Sequence, residues 1–194
     1  MKLDLYNAYV KRLEKVMNSF SWEFVHQLSL SLQQVWRTGN KVFLCGNGGS
    51  AGNAIHLAND FNYGIDKKFG IGLSVEALSA NAAVLTCLAN DEGYGAIFSQ
   101  QLKVKANQND VLIVLSGSGN SQNVVKALEV GNDIGMRTFA ILGYSGGKCK
   151  KLAKYPIHFE IEDMQIAEDL QLIVGNMCMQ WLVENGKERV ESTC

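Results

Sequence analysis

The chain reads as an α/β domain: a parallel sheet with helices on both faces, a flavodoxin-like three-layer sandwich, preceded by a pair of N-terminal helices. Three observations predict this. From residue 41 onward, short apolar runs alternate with segments of helical periodicity. The runs KVFLC, DVLIVL, RTFAILG and PIHFEI are largely apolar at successive positions, as strands covered on both faces are. Two of them lead directly into loops of glycine, serine and asparagine that open helices.

Taken in order, residues 2–18 place Leu3, Tyr6, Val10, Leu13 and Met17 at helical spacing. Residues 22–37 do the same with Phe24, Val25, Leu28, Leu32 and Val35, and Gly39 ends that helix. These two helices precede the strand–helix pattern. Residues 1–38 are therefore expected to pack outside the sheet or against another subunit. The first strand is 41–45, followed by the loop Gly46-Asn47-Gly48-Gly49-Ser50 and a helix from about 50 to 61. Residues 70–74 are read as a further strand, and 79–89 and 94–106 as helices. The second clear strand, 110–115, enters Ser116-Gly117-Ser118-Gly119-Asn120-Ser121 and a helix to about 134. Strand 137–143 follows, then Ser145-Gly146-Gly147 with a short helix, strand 156–161 and a long helix over 164–185. All 194 residues are assigned to one domain, with the α/β core at 41–185.

Composition narrows the function. The chain is 47% hydrophobic and 19% charged, with a net charge of −1, so no electrostatic pull draws it to nucleic acid or anionic membrane. An anion must be held by local geometry. No apolar run approaches the roughly 20 residues that cross a bilayer, and the first residues lack the apolar stretch of a secretory signal. A cytoplasmic protein is the expectation. The cysteines, Cys45, Cys87, Cys149, Cys178 and Cys194, form no C-x-x-C pair, and three sit in apolar context. Most are expected to be reduced and buried, with Cys194 exposed on a polar tail.

Ser116, Gly117, Ser118 and Ser121 belong to a loop that joins a buried strand to a helix. Glycines allow close backbone approach, serines donate hydrogen bonds, and the helix start adds unpaired N–H groups with partial positive charge. That is a phosphate cradle without Lys or Arg. A helix cap alone would need only one serine. The first loop has the same setting, so Asn47, Gly48, Gly49 and Ser50 are candidates for a second part of the ligand, against the reading of a simple tight turn. Gly46-x-Gly48-x-x-Ala51 also fits the dinucleotide fingerprint, with Asp66 about twenty residues on. The segment Ile65-Asp66-Lys67-Lys68 does not read as the end of a buried strand, so no nucleotide cofactor is expected.

His56 and Asp60 stand four apart on one helix face. Glu168 and Asn176, eight apart on the last helix, are offset by about 80°. His56, Asp60 and Glu168 would make a donor set for a hard or borderline divalent metal if they converge. The alternative is a local His56–Asp60 pair, with Glu168 at an ordinary acidic helix start. Asn90 and Asp91, in Asn90-Asp91-Glu92-Gly93, form either a turn and cap or a contact to a sugar hydroxyl.

FLCGNGGSAGNAIHLANDF (43–61), CLANDEGYGAIFSQQL (87–102) and VLIVLSGSGNSQNVVKAL (111–128) together resemble the SIS (sugar isomerase) family, and within it the sedoheptulose-7-phosphate isomerase branch. The resemblance covers nearly the whole chain. It implies a homotetramer with active sites between subunits, to which the last helix contributes. It implies interconversion of a ketose and an aldose phosphate through an enediol, giving D-glycero-D-manno-heptose 7-phosphate for lipopolysaccharide or capsule. By the same resemblance Ser116, Ser118 and Ser121 belong to the phosphate loop, Asn47 and Ser50 to the first-loop contacts, and Asn90 and Asp91 to a substrate-contact segment. His56 matches a histidine that holds zinc in some members, one ion per subunit.

The chain departs from the family pattern at several positions. The base position holds Asp60 rather than glutamate, and the last-helix glutamine and histidine are Glu168 and Asn176. An expected arginine falls on Gly64 and an expected aspartate on Gln165. Isomerisation needs groups that exchange protons near neutral pH. Asn176 cannot do so, whereas Asp60 and Glu168 can. Catalytic candidates are therefore Asp60 and Glu168, with Asn176 marking the histidine position. Two alternatives stay open: a non-catalytic SIS protein that binds the replication initiator DnaA, and an isomerase of another sugar phosphate.

Overall fold

A computed structural model describes residues 3–65 and 70–186. Asp66 and Cys194 lie outside the described residues. Helices α1 (Leu3–Ser19) and α2 (Glu23–Thr38) lead into β1 (Lys41–Gly46) and α3 (Gly49–Asn59), which continues through a π-helical turn, Asp60–Gly64. Then come β2 (Ser74–Ala77), α4 (Ala82–Asp91), a 3₁₀ turn at Tyr94–Ala96 and α5 (Ser99–Lys105). The second half is β3 (Val111–Ser116), α6 (Gln122–Ile134), β4 (Arg137–Leu142), α7 (Gly147–Leu152), β5 (Tyr155–His158) and α8 (Met164–Asn185).

The five strands are all parallel, in the order β2-β1-β3-β4-β5. Alternation along the strands divides the core in two. Val42, Leu44, Ile113, Leu115, Phe139 and Ile141 face one side, where buried residues of α2, α3 and α8 cover them. Phe43, Cys45, Leu112, Val114, Ala140 and Leu142 face the other, under α5, α6 and α7. Covering both faces is what the uninterrupted apolar strands require. The α2 helix is integral to the first core through Val25, Leu28, Leu32, Val35 and Trp36, whereas α1 buries no residue fully. No helix among the described residues is long and apolar enough to cross a membrane.

Four expectations are corrected. The second strand is Ser74–Ala77, not 70–74. Before it, the Trp36 indole donates to the Ile71 carbonyl, and Asn62 packs where Gly72 would carry a side chain, so 70–73 is a docked loop. The helix read over 94–106 is split into the 3₁₀ turn and α5. The helix placed over 79–89 starts at Ala82, where Asn81 caps it by accepting from Val84 N–H (3.2 Å). The last strand stops at His158 rather than 161, because the Ile161 amide turns back to the Phe159 carbonyl.

Strand order reverses between β1 and β3, where Gly46 lies beside Leu115 in the register. A sheet of this order leaves a crevice beyond the carboxyl ends of those two strands. Both glycine-serine loops open there.

Candidate active site

Gly48, with φ 55° and ψ −124°, adopts a conformation that side-chain-bearing residues avoid, and so turns the chain from β1 into α3. Neither α3 nor α6 has a side-chain cap bond; Ser121 occupies the start of α6 without capping it. Two helices thus direct first-turn N–H groups toward the crevice.

One cleft of about 290 Å³ collects the loops. It is lined by Asn47, Gly48, Gly49 and Ser50 from the first, by Leu115, Ser116, Gly117, Ser118 and Ser121 from β3 and the second, and by Met164 and Glu168 from α8. Among the described residues, no lysine, arginine or histidine lines it. A larger cleft of about 610 Å³ lies at the β5 edge among Phe20, Phe24 and Phe159, and it contains neither loop. The geometry and donors favour the smaller one. Ser116 Oγ accepts from Gly119 N–H (3.1 Å) and Ser118 Oγ from Asn120 N–H (3.4 Å), which shapes the second loop into a nest.

Helix α8 is fastened to α3 beside the cleft. Gln171 Nε2 donates to Ser50 Oγ (3.0 Å), and Asn53 Nδ2 donates to Gln171 Oε1 and the Glu168 carbonyl (3.0 Å each). Leu57 fills the space beside Gly175, so the two helices run side by side in the same direction. At the far wall, Asn47 and Asn123 exchange amide hydrogen bonds (2.9 and 2.8 Å), and the Tyr94 hydroxyl donates to Asn47 Oδ1 (2.9 Å). Gln171, Asn123, Asn53 and Met164 are not marked by the sequence. An amide mid-helix carries no local signal, because its partners are more than seventy residues away.

The remaining candidates are not in this cleft. His56 Nε2 lies 3.2 Å from Asp60 Oδ2, as the i,i+4 spacing indicates, and the His56 side chain is 54% exposed. Asn90 donates to Asp91 (2.9 Å), both at the exposed end of α4. Asn176 is half-buried on α8. The expected metal set does not form within one chain. Glu168 stands over Gly49, seven residues and about 10 Å along α3 from His56, and among the described residues no three of His, Cys, Asp and Glu could hold an ion.

The four described cysteines are free: Cys45, Cys149 and Cys178 buried, Cys87 exposed. Burial raises the thiol pKa of Cys149 and of Cys178 to about 12, against a lowering contribution from Ser29 at Cys178, and raises that of Cys45 as well.

A five-stranded parallel sheet with two serine-glycine loops at its switch point has the build of a SIS domain. The SIS domain family matches residues 5–143, and the chain belongs to that family. It is similar to the phosphoheptose isomerase of Helicobacter pylori strain P12, at 35% identity over 86% of each chain. Its fold is similar to that of the phosphoheptose isomerase from Neisseria gonorrhoeae, with a TM-score of 0.84 at 25% identity, covering 92% of this chain and 95% of the other. The phosphoheptose isomerase of Francisella tularensis shares the fold at 22% identity, with a TM-score of 0.85 over 95% of this chain and 100% of that one.

Proposed function

We propose that this protein is a phosphoheptose isomerase, interconverting D-sedoheptulose 7-phosphate and D-glycero-D-manno-heptose 7-phosphate in heptose biosynthesis. The observation that carries the reading is the convergence of both loops and Glu168 on one cleft that, among the described residues, has no cationic side chain. Helix starts and serine hydroxyls there suit a phosphate. The similarity to phosphoheptose isomerases over most of the chain supports the sugar and the reaction.

In this reading Ser116, Ser118 and Ser121 hold the phosphate, and Asn47, Ser50, Asn90 and Asp91 meet the sugar. Asp60 removes a proton from C1 of the ketose as the C2 oxygen gains one, giving the enediol. Return of a proton to C2, with loss of the C1 hydroxyl proton, yields the aldose. Glu168 and His56 serve the oxygen protons. Within one chain the cleft and the Asp60–His56 pair are separate. We therefore propose that the site is completed between subunits of a homotetramer. Leu3, Tyr6 and Val10, exposed along α1, support a covered surface there. Zinc enters only as an addition to be tested, with His56 and Asp60 as two donors, and no step is assigned to it. A cytoplasmic location fits a phosphorylated substrate, and the product serves lipopolysaccharide or capsule.

The test is incubation with sedoheptulose 7-phosphate in D₂O, with and without Zn²⁺, followed by NMR. Aldose carrying deuterium at C2 is the expected result. Absence of product in a protein that still binds the sugar phosphate would overturn the isomerase reading in favour of a non-catalytic SIS protein.

A further inference from the structure

We infer that Gln171 and Asn123 are positioning residues that hold Ser50 and Asn47 as hydrogen-bond donors toward the ligand, so that two walls of the cleft present donors to accepting oxygens. Neither Gln171 nor Asn123 lines the cleft, and each is 1% exposed. The inference rests on the cleft being the sugar-phosphate site.

Backbone anchors fix the sense of both amides, which matters because an amide's two ends are otherwise interchangeable. Asn53 Nδ2 donates to the Glu168 carbonyl, a group that can only accept, so its nitrogen end faces α8. The same nitrogen donates to Gln171 Oε1, which leaves Gln171 Nε2 to donate to Ser50 Oγ. The Ser50 hydroxyl cannot turn inward against that N–H. Ser50 is 4% exposed, and its hydrogen meets no acceptor among the described residues. A buried hydroxyl needs one, and the cleft is where it can be supplied.

The opposite wall follows the same logic. Val124 N–H, which can only donate, bonds Asn123 Oδ1 (2.9 Å), and Asn47 Nδ2 donates to that same oxygen. Asn123 Nδ2 and the Tyr94 hydroxyl both donate to Asn47 Oδ1. Two donors fill the two lone pairs of that oxygen, so Asn47 has only an N–H left to offer. A phosphate oxygen, carbonyl or alkoxide fits these two walls. An ammonium, as in an amino sugar, finds no acceptor on Asn47.

The test is a pair of double-mutant cycles on the affinity for sedoheptulose 7-phosphate. Gln171→Leu and Ser50→Ala are each expected to weaken binding about tenfold, and the double variant about tenfold as well, because Gln171 acts through Ser50. Asn123→Leu with Asn47→Ala forms the second, independent cycle. Gln171→Met replaces Gln171→Leu if the latter fails to fold. A merely structural role would lower the melting temperature and give losses that multiply toward a hundredfold, and that result overturns the inference. Wild-type protein that binds no sugar phosphate overturns the reading of the cleft itself, and the inference with it.

Discussion

The carboxylate of Glu168 fills the space above Gly49 in which a β-carbon would stand. Glycine at the first position of α3 therefore sets where an acid of α8 enters the cleft. A methyl group there must displace Glu168, and a shift of about 1 Å in a reacting group can cost a hundredfold in rate. Gly49→Ala is expected to lower kcat about 10- to 100-fold. Its melting temperature should hold, because alanine favours a helix over glycine by up to about 1 kcal/mol. Steady-state kinetics with a thermal melt check both. A kcat within twofold of wild type would remove Glu168 from proton transfer.

Ser121 stands at the start of α6 without capping it, and Ser118 accepts only a long bond from Asn120 N–H. Both hydroxyls are left to donate into the cleft. A hydrogen bond to a charged oxygen contributes about 1.5–3 kcal/mol. Ser118→Ala and Ser121→Ala should each raise KM about tenfold or more with kcat little changed. Ser121→Ala should leave the melting temperature in place, because no cap bond is lost. A drop in kcat at constant KM would place these serines at the reacting carbons instead.

Much of the sheet was legible in the sequence because strands β1, β3 and β4 are buried on both faces and flanked by abrupt changes of composition. The loops were legible for a related reason: serine and glycine at a strand end have few uses other than turning the chain or meeting a ligand. Strand β2 was misplaced because Ile71 and Leu73 look like strand residues, while a tertiary bond from Trp36 holds that segment as a loop. Gln171 and Asn123 were invisible for the same reason. Their meaning lies in partners at Ser50 and Asn47, across the fold. The spacing of His56 and Asp60 foretold their pairing, but no spacing could tell whether Glu168 joins them.

Asp60 opens the π-helical turn that follows α3, and its carboxylate faces His56 at 3.2 Å. If Asp60 carries the C1/C2 proton, Asp60→Asn keeps its shape and removes its basicity. Turnover should fall at least about a thousandfold, within the range for general base catalysis, while KM stays within about threefold. Wash-in of deuterium from D₂O into recovered ketose should vanish with it. Intact exchange in Asp60→Asn would assign the base elsewhere.

Cysteine reactivity tests the packing. Cys45, Cys149 and Cys178 are buried with raised thiol pKa, so little thiolate exists at pH 8. In a Cys194→Ser background, Ellman's reagent should titrate one thiol, Cys87, in the native protein and four after denaturation. Two or more reactive native thiols would show that one of the cores opens. No reactive native thiol would mean that Cys87 is covered by a neighbouring subunit or held as a thiol by its bond to Asp91, which raises its pKa.

Helix α1 is tied to the cleft side of the fold through Tyr9, whose hydroxyl donates to Asp169, the residue after Glu168. That hydrogen bond, followed by desolvation and the nearby charges of Asp169 and Asp163, raises the Tyr9 pKa to about 12, against a smaller opposing pull from Arg12. The folded value lies above the ordinary value near 10, so the protonated phenol favours the folded state. The contribution is complete below about pH 10 and is lost as pH rises through about 12. Tyr9→Phe should therefore melt below wild type at pH 8, and the gap should close between pH 10 and 12. Tyrosinate absorbance, taken as the difference between wild type and Tyr9→Phe, should rise near pH 12. A rise near pH 10 would mean that Tyr9 does not hold Asp169 in solution, and that α1 takes its place on the fold from its other contacts.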